Sequence, residues 1–345
     1  MNGFGRIFRL SIFGESHGPC VGVVVDGCPA GIILGDDAFE ADMRRRQGGA
    51  RGATARREAD VPIVESGVHC GRTTGAPILI RIANTDADSA SYADVARVPR
   101  PGHADLVAAR KFGGWNDPRG GGHFSGRLTA ALVAAGVIAK HIVEPVRVRA
   151  RVLEAGGRAD ASAAAREAAR DGDSIGAIVE CRASGVPLGL GEPFFDSLES
   201  QVSRLAFSLG GVRGIEFGSG FACARMRGTE CNDLYLDAEG RTATNHAGGV
   251  NGGLTNGNEI VFRVAVKPTS SIAARQRTVD LETGRRVSLS VAGRHDACIG
   301  LRMPVILEAV LAVVLADFTL LDAPRARGGG APHGARRSAP RRTGR

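Results

Sequence analysis

Gly14-Glu15-Ser16-His17-Gly18 is the stretch on which the reading of this chain turns. Two glycines bracket a carboxylate, a hydroxyl and an imidazole, so three groups able to move protons or accept hydrogen bonds sit on backbone free to turn sharply. On its amino side Phe8 to Phe13 alternates loosely, as a strand does, and on its carboxyl side Val21 to Val25 is a β-branched run closed by Asp26-Gly27. The pentapeptide therefore reads as a strand-to-strand crossing. It also satisfies the G-x-S-x-G pattern of a nucleophile elbow, in which Ser16 attacks an ester. An elbow runs from strand to helix, whereas a strand follows Pro19 and only thirteen residues precede Gly14. That context speaks against a serine hydrolase, the first alternative reading.

Moving outward, Asp36 or Asp37 caps a short helix, with Glu40 completing a capping box, and the helix ends in Arg44, Arg45 and Arg46. A loop with Gly48, Gly49, Arg51, Arg56 and Arg57 follows, carrying more guanidinium than helix capping needs. Ile78 to Ile82 reads as a strand and Asn84 to Ala96 as a polar loop. Arg100-Pro101-Gly102-His103-Ala104-Asp105 presents a cation, an imidazole and a carboxylate on irregular backbone, the composition of a site. Gly120 to Gly122, His123, Phe124 and Ser125 lead into a helix over 126–142, with Ser125 as N-cap and Leu128, Leu132, Ala135, Ile138 and Ile142 as one apolar stripe. Glycine-rich approach to a helix N-terminus suits an anion, but the Lys-Ser/Thr ending of a nucleoside-triphosphate loop is missing.

In the second half Ala159 to Arg170 reads as a helix and Gly176 to Cys181 as a strand. Asp196, with Glu199 three residues on, caps a helix to about Leu209, and Val212 to Phe217 is another strand. This succession echoes the one that begins at Gly22. It predicts an internal duplication and an α+β body of helices against antiparallel sheets. Thr244 to Gly257 reads TNHAGGVNGGLTNG, a strand over 259–266 follows, and Lys267-Pro268-Thr269-Ser270-Ser271 places a cation and hydroxyls at its end, suited to a phosphate or flavin. Gly293-Arg294-His295-Asp296 precedes the last helix.

Composition bounds the rest. Glycine is 49 of 345 residues, about double the usual share of roughly 7%, and its clustering points to loops where backbone approaches a ligand closely. The formal charge is +8, yet Ala323 to Arg345 carries seven arginines and no acid, leaving the body near +1. The basic signal belongs to a disordered Arg/Gly/Pro-rich tail over 323–345, so no specific nucleic-acid partner is expected. Seven cysteines without a CxxC pair read as free thiols in a reducing cytosol, with no metal site. The apolar run from Met303 to Leu321 is interrupted by Glu308 and Asp317, which predicts a buried helix over a membrane span and a cytoplasmic protein.

GESHG, RPGHAD, the glycine-rich entry to SGRLTA, VRGIEFGSGF, TNHAGGxxGGxTNG, KPTSS and GRHD occur here in the order found in chorismate synthase, and the chain resembles that family from about Arg9 to Asp322. The resemblance implies a catalytic domain over 1–322 with a β-α-β sandwich, helices between two antiparallel sheets, assembled as a homotetramer. It implies a carbon-oxygen lyase of the shikimate pathway: anti-1,4-elimination of phosphate from 5-enolpyruvylshikimate 3-phosphate, giving chorismate, with reduced FMN required without net redox change. Some members reduce the flavin with NADPH. A non-catalytic flavin-binding protein is the second alternative.

By the same resemblance His17 and His103 are the catalytic histidines; we assign His17 to the departing phosphate and His103 to the reduced flavin, with the reverse as the alternative. Asp296 acts through Ser16 as a proton acceptor, which makes Ser16 a relay and not a nucleophile. Flavin contacts fall on His123, Phe124, Ser125, Gly210, Gly211, Gly252, Lys267, Pro268, Thr269, Ser270, Ser271 and Arg294. Arg45 and Arg51 match positions for substrate or NADP. Where many members read R-S-S-A-R-E-T, this chain reads His123 to Thr129 as H-F-S-G-R-L-T, replacing an arginine and a glutamate by His123 and Leu128.

Overall fold

Alternating valines and isoleucines build the first sheet of the computed structural model, which describes residues 2–35, 37–47, 59–86, 95–291 and 295–326. Strands β1 (Gly3–Phe4), β2 (Arg9–Gly14), β3 (Cys20–Asp26), β4 (Pro62–Val64) and β5 (Ile78–Ala83) pair antiparallel in the order β1-β2-β3-β5-β4. Val21, Val23 and Val25 stand opposite Ile82, Ile80 and Ile78, and all six side chains are fully buried. β-branched residues on one face of a pleat pack tightly against whatever covers it. A second antiparallel sheet joins β6 (Arg147–Ala155), β7 (Ala177–Ser184), β8 (Val212–Phe217) and β9 (Ile260–Val266) in the order β8-β9-β7-β6. Its buried face pairs Phe262 with Cys181 and Val264 with Val179.

Helices α1 (Glu40–Gln47), α2 (Thr129–Ile142), α3 (Leu198–Phe207) and α4 (Met303–Ala326) pack with the inner faces of both sheets into one core. The architecture is α+β, a sandwich with helices between two antiparallel sheets. The expected duplication is visible in topology: β2-β3-β5-β4 and β6-β7-β9-β8 share one order, each with a helix between its second and third strands and another after its fourth.

Burial corrects one expectation. The apolar stripe assigned to α2 understates it, because every residue from Ala130 to Ala139 is buried; a helix between two sheets has no solvent face. Gly136 permits this closeness, since a Cβ there would lie 2.7 Å from Ala309 Cα on α4. The segment Ile299–Ala323 is long and apolar enough to cross a membrane, yet 78% of its apolar window is buried inside the fold. Two of its three acids, Glu308 and Asp317, are satisfied there. Asp317 accepts the backbone N–H groups of Arg6, Ile7 and Phe8 at 2.7–3.1 Å, and Glu308 accepts both guanidinium arms of Arg45 at 2.7 Å. The boundary drawn at 322 falls inside α4; residues 327–345 lie outside the described residues.

Cap positions also shift. Ser197, not Asp196, caps α3, its hydroxyl accepting from Ser200 N–H at 3.1 Å, while Ser125 Oγ accepts from Arg127 N–H at 3.3 Å as expected. A single 3₁₀ turn, Gly126–Leu128, intervenes before α2.

Candidate active site

The crossing from β2 to β3 needs Gly14, whose φ is +92° and whose Cβ would collide with Cys20 O. The chain then turns at Glu15 to Gly18, where Gly18 N–H donates to Glu15 O at 3.2 Å. Ser16 is fully buried; its N–H donates to Gly122 O at 3.1 Å and its Oγ accepts from Ser125 Oγ at 3.1 Å. A strand, not a helix, follows Ser16, so the elbow geometry of a hydrolase is absent.

Beside this turn lies a cavity of about 410 Å³, within the range of roughly 300–1,000 Å³ of ligand sites. Of the expected catalytic groups, Ser16, His103 and Asp296 line it. Of the expected flavin contacts, Phe124, Ser125, Gly210, Gly211 and the run Lys267 to Ser271 line it too. Segments far apart in sequence thus meet at one place.

Other expected residues lie elsewhere. His17 is half-buried and outside the lining, its imidazole packed on Gly120, which does line the cavity. His123 turns away, its ring nitrogens 3.0 Å from Asn2 Oδ1 and 3.2 Å from Gly14 O. Gly252 sits in the hairpin of Val250–Asn251 with Leu254–Thr255, outside the cavity of its own chain. Arg45 lines a separate groove of about 510 Å³ with Lys140, Arg147, Arg149, Arg151 and Arg182. Arg51 and Arg294 lie outside the described residues.

Gly120 to Gly122 all have positive φ, and a Cβ on Gly120 would sit inside contact distance of the His17 ring and 2.7 Å from Ser16 Oγ. Gly120→Ala is therefore expected to cost at least about 1–2 kcal/mol from left-handed backbone alone, and to displace both side chains. Urea denaturation and the His17 ring resonance in NMR check this; an unmoved resonance would contradict the packing.

Arg100, His103 and Asp105 form a locked cluster. The Arg100 guanidinium donates to Asp105 at 2.7 and 2.8 Å and to Ser271 Oγ at 2.8 Å, while His103 Nδ1 lies 2.5 Å from Asp105 Oδ1. Burial pushes the Asp105 carboxyl up, but the hydrogen bonds from Arg100 and His103 outweigh it and hold the group well below the ordinary carboxylate range. An ionised Asp105 fixes the His103 tautomer with its proton on Nδ1, leaving Nε2 for exchange.

Across the cavity Lys267 Nζ donates to Gly102 O at 2.8 Å and Ser270 Oγ at 2.7 Å. Burial and then Arg213 hold its ammonium below the ordinary lysine range, a field that a bound anion relieves. Thr269 Oγ1 is buried with no hydrogen-bond partner among the described residues.

Several lining residues escaped the motif reading. Arg46, not Arg45, faces the cavity; its guanidinium and that of Arg127 grip the two oxygens of Asp60. Burial pushes Arg46 down to about 10, with Asp60 opposing and Arg127 and Arg302 adding to the fall. Arg302 also lines the cavity, 3.3 Å from Asp296. The density of arginines in Arg44 to Arg46 was the available signal for Arg46; Asp60 and Arg302 sit in no pattern that names them.

A family profile described as chorismate synthase matches residues 8–320. The chain is 57% identical over 323 residues to a chorismate synthase of Chitinophaga pinensis, covering 93% of this chain and 97% of that protein. A chorismate synthase of Korarchaeum cryptofilum is 46% identical over 349 residues, with 92% and 97% covered. A crystal structure of chorismate synthase superposes with a TM-score of 0.72 at 25% identity, covering 92% of this chain and 93% of that one.

Proposed function

The chain belongs to the chorismate synthase family, and from that premise we propose which of its residues carry the reaction and with what cofactors. The activity is the family's carbon-oxygen lyase reaction: phosphate is eliminated from 5-enolpyruvylshikimate 3-phosphate to give chorismate, the last step of the shikimate pathway. A reduced flavin is required by the family. We take it to be FMN. The observation that carries the reading is the convergence of Ser16, His103, Asp296 and the Lys267 to Ser271 run on one cavity.

The residues present fit a flavin. Gly210 and Gly211 open the wall, the partnerless Thr269 Oγ1 offers a hydrogen bond, Phe124 offers an aromatic face, and Lys267 with Arg213 offers charge for a phosphate. When bound, reduced flavin supplies electron density that makes the unactivated C6–H and the allylic C–O bond labile. The substrate's phosphate and two carboxylates call for cations, which Lys267, Arg213 and Arg302 provide at the lining.

His17 donates a proton to the departing phosphate; its imidazole packs on Gly120, which lines the cavity and has no Cβ to displace the ring. His103, oriented through Nδ1 by Asp105, keeps Nε2 for proton exchange and would serve there to protonate or steady a bound reduced flavin. The hydrogen lost from C6 is finally carried off as a proton, and Ser16 with Asp296 is the pair we assign to accept it. Ser125 orients Ser16 for that relay.

Two further parts of the proposal rest on residues outside the cavity. Gly252, outside the cavity of its own chain, would reach a flavin from a neighbouring subunit in the homotetramer we propose; exposed Phe194 and Phe195, each 89% accessible, offer apolar surface for assembly. Arg45, though paired with Glu308, lies in a groove where cations outnumber Glu180 and Glu308, and we assign that groove to the phosphates of NADPH as flavin reductant. The enzyme is taken to be cytoplasmic, consistent with seven free cysteines.

The test is anaerobic incubation with 5-enolpyruvylshikimate 3-phosphate and reduced FMN. Chorismate absorbance and free phosphate should rise together, one to one. Flavin binding without either product would leave a non-catalytic flavoprotein, and phosphate release without flavin would indicate a hydrolase.

A further inference from the structure

Asn84 follows β5 and continues its ladder, its N–H donating to Pro19 O at 3.1 Å. That places its carboxamide beneath the Glu15 to Gly18 turn. Nδ2 donates to Glu15 O at 2.9 Å and to Gly18 O at 2.8 Å, the carbonyls on either side of Ser16 and His17. Oδ1 accepts from Arg127 Nε at 2.8 Å. Only this orientation of the amide is compatible with its surroundings, because the reverse would aim Oδ1 at two carbonyls and Nδ2 at a guanidinium.

Behind Asn84 stands a fixed chain. Arg127 donates to Ala83 O at 3.0 Å and to Asp60, which also holds Arg46 at the cavity lining. Each guanidinium is about nineteen-twentieths buried, so Arg127 cannot swing to solvent without abandoning its carboxylate. A rigid, buried charge thus points one donor at Asn84, and Asn84 passes that rigidity to the turn through two hydrogen bonds.

We propose that Asn84 is a positioning residue for the Ser16–His17 peptide, clamping both ends of the turn so that the His17 imidazole stays seated on Gly120. The inference rests on the role assigned to His17 above. A turn with a glycine at each end has little stiffness of its own. The clamp holds both of its ends, beside the bonds from Ser16 N–H to Gly122 O and from Gly18 N–H to Glu15 O. An error of about 1 Å at a proton donor costs on the order of 100-fold in rate, so loss of the clamp should appear in kcat and not in KM.

Asn84→Asp is the informative variant: it keeps size and the acceptor for Arg127 but replaces two donors with an oxygen that repels both carbonyls. Expected are a fall in kcat of about 10- to 100-fold with KM changed less than about twofold, and a shifted or broadened His17 ring resonance, assigned by difference against His17→Ala. In the His17→Ala background Asn84→Asp should lower kcat clearly less than in the parent, the remainder being its effect on Ser16, since residues acting as a unit are non-additive. Equal losses in both backgrounds, or an unmoved His17 resonance, overturn the proposal. Near-normal turnover in His17→Ala alone instead overturns the role given to His17, while the resonance still decides whether Asn84 positions it. Should Asn84→Asp fail to fold by circular dichroism, Asn84→Ser, too short to span both carbonyls, carries the same expectations.

Discussion

His103→Ala is expected to lower kcat by about 10²- to 10⁴-fold, the usual contribution of a positioned acid or base, while reduced flavin still binds. The expectation comes from how much surrounding structure is devoted to this imidazole. Asp105 lies 2.5 Å from Nδ1, and Arg100 in turn holds Asp105 through three hydrogen bonds, two from its guanidinium and one from its backbone N–H. Arg100 and Asp105 are almost wholly buried, whereas the His103 side chain keeps 20% exposure and faces the cavity. A buried pair serving a partly exposed histidine is the arrangement of an orienting group behind a proton-transfer group. Asp105→Asn should cost less than His103→Ala, because an amide can still accept from Nδ1–H through its oxygen. Single-turnover measurement of chorismate absorbance, with flavin binding followed separately, checks both. Turnover in His103→Ala within threefold of the parent would refute the assignment.

Asp60→Ala should produce the largest loss of stability, about 3–5 kcal/mol, the cost of leaving a buried charge without its partner. Two guanidiniums, Arg46 and Arg127, share this one carboxylate, and all three side chains are nearly inaccessible. Among the described residues Arg46 keeps Thr129 Oγ1 at 3.2 Å and the carbonyls of Gly126 and Arg127, which do not neutralise it. Asp60 also has φ of +46°, so alanine meets left-handed backbone as well, adding roughly 1 kcal/mol or more. Urea denaturation measures the change; a loss under about 1 kcal/mol, within reach of ordinary substitutions, would show that the triad is not the fixed element described. Its failure would also loosen Asn84, so the surviving folded fraction should turn over more slowly.

Much of the fold was legible because local pattern and tertiary environment agree. Val212 to Phe217 was read to the residue, and Ile78 to Ile82 within one, since a β-branched alternating run has few other conformations. Helix α2 was placed correctly but its surroundings were not, because a residue pattern shows the apolar positions and says nothing of a second sheet covering the rest. The cap of α3 was misplaced by one residue for a related reason: Asp196 and Ser197 are both good caps, and the competition is decided by Ser200 N–H lying within reach of the serine hydroxyl.

For the site, the motifs named Ser16, His103, Asp296 and the Lys267 to Ser271 run, and these do share one cavity. Short motifs keep reactive groups on irregular, glycine- or proline-rich backbone, so their chemistry is written locally. Sequence alone determined this much about the protein: six of its strands, its family and the chemical inventory of its site, but not the edge strands Pro62–Val64 and Arg147–Ala155. Tertiary structure alone decided which arginine of three faces the cavity, that Gly252 and His123 point elsewhere in the single chain, and that Asn84, Asp60 and Arg127 stand behind the Ser16–His17 turn. Those are matters of side-chain direction and of contacts between residues far apart in sequence, 67 positions from Asp60 to Arg127 and 69 from Asn84 to Glu15. Such contacts are set by how two sheets close on the helices between them, and no local propensity encodes that closure.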